Sequence, residues 1–148
     1  MDTVFEFAPY GARFDPQPET IVLDVGMKTM PGVIDHHHPE AEPECTASLI
    51  ARHPDLVLNH IRIAGTKEQQ EGPSILRIIT HRLPDFDAIA SIFLTLRLLE
   101  TRRIDSSMEK MARYAKMVDS ASLPKEIDLT ATPYSILRAL FSGARKEE

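Results

Sequence analysis

The chain has 148 residues, of which 43% are hydrophobic and 26% are charged, and its formal net charge is −5. This length and composition are typical of one globular domain and exclude a disordered or fibrous protein. The acidic balance argues against extended nucleic acid as a partner, because domains that bind DNA or RNA carry basic surfaces.

Targeting signals and cysteine usage narrow the class further. No apolar run is long enough to cross a bilayer, and the N-terminus has no apolar signal segment. We therefore expect a cytoplasmic protein that does not associate with a membrane. The single cysteine, Cys45, excludes an internal disulfide and fits a reducing compartment. A catalytic thiol is one alternative for Cys45; we favour a structural residue at the start of a helix.

Segments of β-branched and apolar residues, bounded by turn formers, predict the strands. In chain order these segments are residues 4–7, 21–23, 32–35, 56–63 and 75–80. The first lies within residues 1–20, which carry three prolines and are expected to be irregular or to lie at a sheet edge. Loops are predicted between the strands, at residues 28–31 and 65–73.

Apolar residues that recur three and four positions apart predict the helices. The predicted helices are residues 46–53, 88–99, 108–118 and 134–141. Pro54 ends the first helix, because the residue before a proline is pushed out of the helical region. The alternation of strands and helices predicts an α/β fold, with a mostly parallel sheet and helices on both faces.

Two clusters of histidine and aspartate follow apolar runs that are predicted to be strands. The clusters contain Asp35, His36, His37 and His38 in the first case, and His81, Asp85 and Asp87 in the second. Because the carboxyl ends of parallel strands meet at one edge of a sheet, we expect the clusters to lie together. Imidazole nitrogen and carboxylate oxygen are suitable ligands for Mn, Fe, Zn and Mg.

Each cluster also has a simpler interpretation. Asp87 could cap the helix that follows it, although this leaves His81 and Asp85 unexplained. The adjacent histidines could form a solvated loop that binds a single Zn adventitiously. Asp24 favours one site shared by both clusters. It ends another predicted strand, and a buried carboxylate there needs a partner, because leaving it unpaired is very costly.

Carboxylates that converge in this way require cations. Two carboxylates about 5 Å apart repel each other by roughly 3 kcal/mol at an effective dielectric constant of 20. Two divalent metals about 3.5–4 Å apart remove this repulsion and clamp a phosphoryl group for in-line attack. The residues alone therefore predict metal-assisted hydrolysis of a phosphoester or phosphoanhydride.

Two motifs and one further aspartate together resemble the signature of the DHH phosphoesterase superfamily. They are Asp35-His36-His37, His81-x-x-Pro84-Asp85-x-Asp87-Ala88 and Asp24. The superfamily includes RecJ-type exonucleases, family II inorganic pyrophosphatases, exopolyphosphatases, and phosphodiesterases of nanoRNA or cyclic dinucleotides. The resemblance covers roughly residues 21–122. It implies an α/β catalytic domain that binds two Mn ions, for which Mg or Co can substitute.

The resemblance also implies a role for each motif residue. It implies His81 and Asp85 as ligands of one metal, His36 and Asp87 as ligands of the other, and Asp24 as the bridge between them. Asp119, at the end of a predicted helix, is the best candidate for a further ligand of the second metal; the alternative is an ordinary solvated helix end.

The catalytic residues implied by the resemblance are Asp35 and His37. Asp35 would orient its neighbours, and His37 would face the substrate phosphate. Arg82 is the basic residue closest to the site in sequence and the first candidate for binding phosphate. Lys28, Arg52 and Arg62 are alternatives.

Three features depart from the family pattern. The two motifs occur in the reverse of the usual order, which implies a circular permutation. Such a rearrangement is compatible with an intact sheet edge, because the termini of domains often lie close together. Leu83 stands where the family usually has Asn, and Phe86 where it often has Gly.

The third departure is the expected domain organisation. Residues 1–122 are predicted to form the DHH-like domain, and residues 123–148 a loop, a short helix and a charged tail. We expect no second, substrate-binding domain, so that a homodimer or a partner chain could complete the site. The expected substrate is a small phosphorylated molecule: pyrophosphate, polyphosphate, a dinucleotide or a short oligonucleotide. The alternative is a catalytically weak module that binds metal or nucleotide.

Overall fold

The computed structural model describes residues 2–61 and 74–122. Along these residues four strands and two helices are followed by one strand and two helices. In chain order the elements are β1 (Asp2–Ala8), β2 (Thr20–Leu23), β3 (Thr29–Met30), β4 (Val33–Ile34), α1 (Thr46–Arg52), α2 (Asp55–Leu58), β5 (Ile75–His81), α3 (Phe86–Thr101) and α4 (Ser106–Asp119).

The described strands form one sheet in the order β1-β5-β2-β4-β3. The pairs β1–β5, β5–β2 and β2–β4 are parallel, and only β3 runs antiparallel, against β4. This confirms the predicted α/β fold with a mostly parallel sheet. Because β5, β2 and β4 are adjacent and parallel, the residues that follow them emerge at the same edge of the sheet.

The hydrophobic core lies mainly on one face of the sheet. Alternate strand residues, such as Ile21 and Ile78, point into a large cluster to which all four helices of the described chain contribute. The opposite face has a smaller cluster, built by strand residues such as Val22 and Ile79 and covered by Phe14. The prediction of helices on both faces is therefore not met within residues 2–61 and 74–122. The β1–β2 connection that covers the second face contains three prolines, which disfavour a helix there.

The prediction of a strand at residues 56–63 is wrong for the part that the structure describes. Helix α2 occupies Asp55–Leu58, and a turn follows it as far as Ile61. Short apolar runs fit both the strand and the helix period, so tertiary packing decides between them. Here Pro54 has a helical backbone at the start of α2, and Val57 and Ile61 are both buried, four residues apart.

Smaller differences concern the loops. Residues 28–31 were expected to form a loop, but they include the two residues of β3. The predicted loop at 65–73 and everything predicted for 123–148 lie outside the described residues. No helix in the described part of the chain is both long enough and apolar enough to cross a membrane.

Candidate metal centre

The histidines and aspartates of both clusters meet at the carboxyl edge of the sheet. Asp24 follows β2, Asp35 to His37 follow β4, His81 ends β5, and Asp85 and Asp87 lie at the start of α3. Asp119 is the last residue of α4 and reaches the same place from the helical layer. The structure thus brings together every residue that the sequence predicts as a metal ligand.

Asp24 lies at the centre of the site. It is 2% exposed, and one carboxylate oxygen lies 2.9 Å from His81 Nε2 while the other lies 3.2 Å from His36 Nε2. The Thr46 hydroxyl donates a hydrogen bond of 3.1 Å to the second oxygen. The Asp24 backbone has a φ of +60°, a left-handed conformation that costs a non-glycine residue on the order of 1–3 kcal/mol. In this backbone conformation the carboxylate lies between the two histidines.

A first group of possible ligand atoms consists of Asp24, His81 and Asp85, all within 4.8 Å of one another. His81 is fully buried, and its Nε2 lies 3.7 Å from Asp85 Oδ1. Asp85 is also the N-cap of α3, where its side chain accepts a hydrogen bond from the backbone N–H of Ala88. This hydrogen bond holds the Asp85 carboxylate at the solvent-exposed side of the site, where the side chain is about half exposed.

A second group consists of His36, Asp87 and Asp119. The Nε2 atom of His36 lies 3.4 Å from an Asp87 oxygen and 4.0 Å from an Asp119 oxygen. Asp87 does not cap its own helix, which excludes the simpler interpretation of this residue. It accepts hydrogen bonds from the backbone N–H groups of Thr46 and Ala47, at 2.9 and 2.8 Å, in the first turn of α1.

Asp35 fixes the position of His37. Its Oδ1 lies 2.6 Å from His37 Nδ1, and its Oδ2 accepts a hydrogen bond from the backbone N–H of Met27. His37 also lies within 4.8 Å of Asp24 and His36, in a third group of possible ligand atoms. Asp35 is buried, whereas the His37 side chain is 48% exposed, so the imidazole is held from inside and presented to solvent.

The three adjacent histidines do not face one common metal position. His38 pairs its Nε2 with the Thr29 hydroxyl at 2.8 Å, whereas His36 faces the carboxylates of Asp24, Asp87 and Asp119. These different directions argue against a single Zn held by the three consecutive imidazoles.

The electrostatics of the site favour positive charge. Burial opposes ionisation of Asp24, but the imidazoles of His36 and His81 beside it outweigh burial and keep its pKa well below the ordinary range. Burial also lowers the histidine pKa values, yet neighbouring carboxylates raise the pKa of His36 to about 9 and that of His81 to about 10. For Asp87, burial and the Asp24 charge raise the pKa to about 7.

The exposed members of the site are also perturbed. Burial raises the pKa of Asp119, reinforced by the charges of Asp24 and Asp85 and opposed by His36. The contact with Asp35 raises the pKa of His37. Excess negative charge therefore raises the pKa values of His36 and His81 and adds to the effect of burial at Asp87.

The residues could hold a metal ion. The buried Nε2 of His36 faces three carboxylates but makes no hydrogen bond of good geometry within the described residues. A metal ion accepts lone pairs from imidazole and carboxylate together, whereas a proton on His36 can serve only one neighbour well. The first and second groups are joined through the contact between Asp24 and His36. The first group has one further carboxylate, Asp85, and the second has two, Asp87 and Asp119.

Other residues singled out in the sequence lie outside this arrangement. The side chain of Arg82 is exposed and makes no hydrogen bond or ion pair among the described residues. Lys28 and Arg52 are both paired with carboxylates elsewhere, and Arg62 lies outside the described range. Phe86 is buried against Tyr114 at a ring distance of 5.3 Å, so it belongs to the core.

Cys45 is structural, and the alternative of a catalytic thiol is not supported. It is the N-cap of α1 and is 1% exposed. Burial and the nearby Asp87 charge raise the pKa of its thiol well above the usual range. A reactive cysteine needs the opposite, a lowered pKa and an accessible sulfur.

Two contributors to the site were missed by sequence reasoning. Thr46 binds Asp24 through its hydroxyl and Asp87 through its backbone N–H. Tyr10 stacks on the His81 ring, with the ring centroids 4.4 Å apart. Both lie outside the motifs, and no local signal in the sequence marks either residue.

Comparisons with known proteins do not identify a relative: no family model, no curated protein and no solved structure matches the chain. The likeness to DHH phosphoesterases therefore rests on the two motifs, Asp24 and the chemistry that they predict.

Proposed function

We propose that this chain is a two-metal-dependent phosphohydrolase of the DHH type, acting on a small phosphorylated substrate. The observation that carries the proposal is the position of Asp24, which lies between His81 and His36 at the junction of two ligand groups. A carboxylate placed in this way is suited to bridge two cations, with Asp85 on one side and Asp87 and Asp119 on the other.

The donor set supports the choice of metal. It combines imidazole nitrogen with carboxylate oxygen and contains no sulfur ligand, a combination that suits Mn and accepts Mg or Co. When bound, two such ions would lower the pKa of water and offset the charge of a phosphoryl group. The negative charge concentrated on four aspartates gives a divalent pair its electrostatic stabilisation.

The remaining chemistry is assigned to Asp35 and His37. A hydrogen bond to Asp35 keeps the His37 ring in one orientation and raises its pKa. A protonated His37 at the exposed rim can donate a hydrogen bond to a phosphate oxygen and hold a proton for the leaving group. Arg82, on the exposed loop after β5, is the proposed second contact for phosphate.

The reversed order of the motifs fits a circularly permuted DHH domain. The ligands depend on which strands are adjacent at the sheet edge, not on the order in which the chain visits them. Strands β5, β2 and β4 are neighbours and parallel, so the family's two motifs can face each other in either chain order.

The test is hydrolysis by Mn-loaded protein of a panel that contains pyrophosphate, tripolyphosphate and a dinucleotide. We expect turnover of at least one substrate, and we expect Asp24→Asn to lower kcat by more than about 100-fold, the usual loss when a key electrostatic group is removed. The matched control is Asp15→Asn, which removes an exposed carboxylate paired with Lys28 and should leave kcat unchanged.

The outcomes separate the alternatives. Two Mn ions bound without turnover of any substrate would favour a metal- or nucleotide-binding module that is catalytically weak. If metal analysis finds one Zn that survives Asp24→Asn and Asp85→Asn, the two-metal proposal is wrong.

A further inference from the structure

Tyr10 lies directly beside the metal centre. Its ring is stacked on His81, with centroids 4.4 Å apart and planes inclined by 25°. The backbone supports this position, because Ala8 at the end of β1 pairs with His81 and its carbonyl accepts a hydrogen bond from the Arg82 N–H. Tyr10 therefore sits at the same sheet edge as the proposed ligands.

Most of the tyrosine remains open to solvent. Tyr10 is 66% exposed, although one face of its ring is covered by His81. Leu83, two residues after His81, is 67% exposed and has a left-handed φ of +53°. Single exposed apolar residues are common on protein surfaces, but Tyr10 is set apart by its contact with a residue of the ligand set.

An open aromatic face beside a phosphate-binding centre is suited to a particular class of substrate. Pyrophosphate and polyphosphate have only charged oxygens at their surface and gain nothing from an aromatic ring. A nucleotide carries phosphate at one end and a flat base at the other, and bases stack on aromatic side chains with little regard to sequence. The His81 ring that Tyr10 covers lies 2.9 Å, through its Nε2, from a carboxylate oxygen of Asp24, so the tyrosine is next to the ligand groups.

We infer that Tyr10 is a stacking platform for the base of a nucleotide whose phosphate occupies the metal centre. The inference rests on the proposed two-metal site and narrows its candidate substrates, which include inorganic phosphates, to nucleotides. Tyr10 contributes to binding through its ring face, so phenylalanine can replace it and an aliphatic side chain cannot.

The experiment compares adenosine 5′-monophosphate with ribose 5-phosphate, which carries the same phosphate monoester but lacks the base. Both are titrated by calorimetry into Mn-loaded protein. We expect the wild type to bind the nucleotide roughly 5- to 150-fold more tightly, the range expected for one stacked base. Tyr10→Leu should remove this preference and leave the affinity for ribose 5-phosphate unchanged, whereas Tyr10→Phe should keep it.

The matched control is Phe5→Leu, which removes another exposed ring from the same part of the chain. Phe5 is 47% exposed in the middle of β1, away from the carboxyl edge, and its replacement should not change the preference. A second measurement needs only the wild type: in saturation-transfer NMR, the adenine protons of the nucleotide should receive more magnetisation than the ribose protons.

Four results would overturn the inference: equal affinity of the wild type for the two ligands, no measurable binding of either, a preference that survives Tyr10→Leu, or an equal loss of both ligands in Tyr10→Leu. The last result would mean that Tyr10 only positions His81. Failure of the hydrolase proposal is distinguishable from failure of this inference. In that case the protein would show a Tyr10-dependent preference for the nucleotide but no Mn-dependent turnover.

Discussion

Replacement of Asp24 by asparagine should reduce the stabilisation of the folded protein by Mn. The substitution removes a ligand from one of the two proposed metal sites and leaves the ligand group of the other complete. Asp24 belongs to two of the three groups of possible ligand atoms, and only the group of His36, Asp87 and Asp119 remains complete without it. Asparagine tolerates the left-handed backbone at this position and keeps an oxygen for the Thr46 hydroxyl. The substitution therefore removes charge with little change of shape.

The magnitude follows from linkage. Each site filled at 100 times its Kd stabilises the folded state by about 2.7 kcal/mol, so two sites contribute roughly 5 kcal/mol. In a chain of this length, 1 kcal/mol shifts the melting temperature by about 2–4 °C, so Mn should raise the wild-type Tm by roughly 10–20 °C. In Asp24→Asn the gain should fall to less than half, because at most one group keeps its ligands.

The assay is thermal unfolding of chelator-treated protein across a Mn titration, with Mn stoichiometry measured separately by calorimetry. Asp15→Asn is the control: its side chain is 87% exposed, exposed ion pairs contribute little to stability, and the Mn response of this variant should equal that of the wild type. A full Mn-induced shift in Asp24→Asn, with two ions still bound, would refute the bridging role of this carboxylate.

Three further predictions concern charge, reactivity and packing. Carboxylates hold the pKa values of His36 and His81 at about 9 and about 10 against the opposing effect of burial. The folded state thus retains protons that the unfolded chain releases as the pH rises. Urea denaturation of chelator-treated protein should therefore show that the free energy of unfolding falls between pH 6.5 and 10. The expected slope is up to about 1.4 kcal/mol per pH unit for each retained proton. Excess Mn should reverse this slope, since it displaces the protons; a rise of stability with pH in chelator would contradict the assignment. Cys45 should react with iodoacetamide only when urea unfolds the protein, with the alkylated product measured by mass spectrometry. Rapid alkylation of the native protein would show that the thiol is not buried. Gly26→Ala should lower the free energy of unfolding by roughly 2–5 kcal/mol, because its φ is +115° and a Cβ would lie 2.6 Å from a buried valine methyl. Gly11→Ala, with φ +76° and nothing within 4 Å, should lose only about 1–2 kcal/mol, and equal losses would disprove the clash.

Much of the local structure could be predicted from sequence periodicity. The helical stripe of residues 88–99 lies within α3, and the apolar run at 75–80 lies within β5. Long periodic segments are predicted well, because each buried side chain repeats the same signal. The short run at 56–58 carried too few residues to distinguish a strand from a helix, and packing of Val57 into the core determined its form.

For the candidate site, the ligand types could be identified from the amino-acid sequence, which also places most of them just after predicted strands. Parallel strands carry their carboxyl ends to one edge, so Asp24, Asp35 and His81 were expected to meet. How each carboxylate is held depends on contacts between distant elements and could not be predicted. Asp87 accepts two hydrogen bonds from the first turn of α1, some 40 residues away in the chain, and Tyr10 crosses from the end of β1 to cover His81. Contacts of this kind depend on how separate elements pack, and packing between distant segments leaves no periodic trace in one sequence.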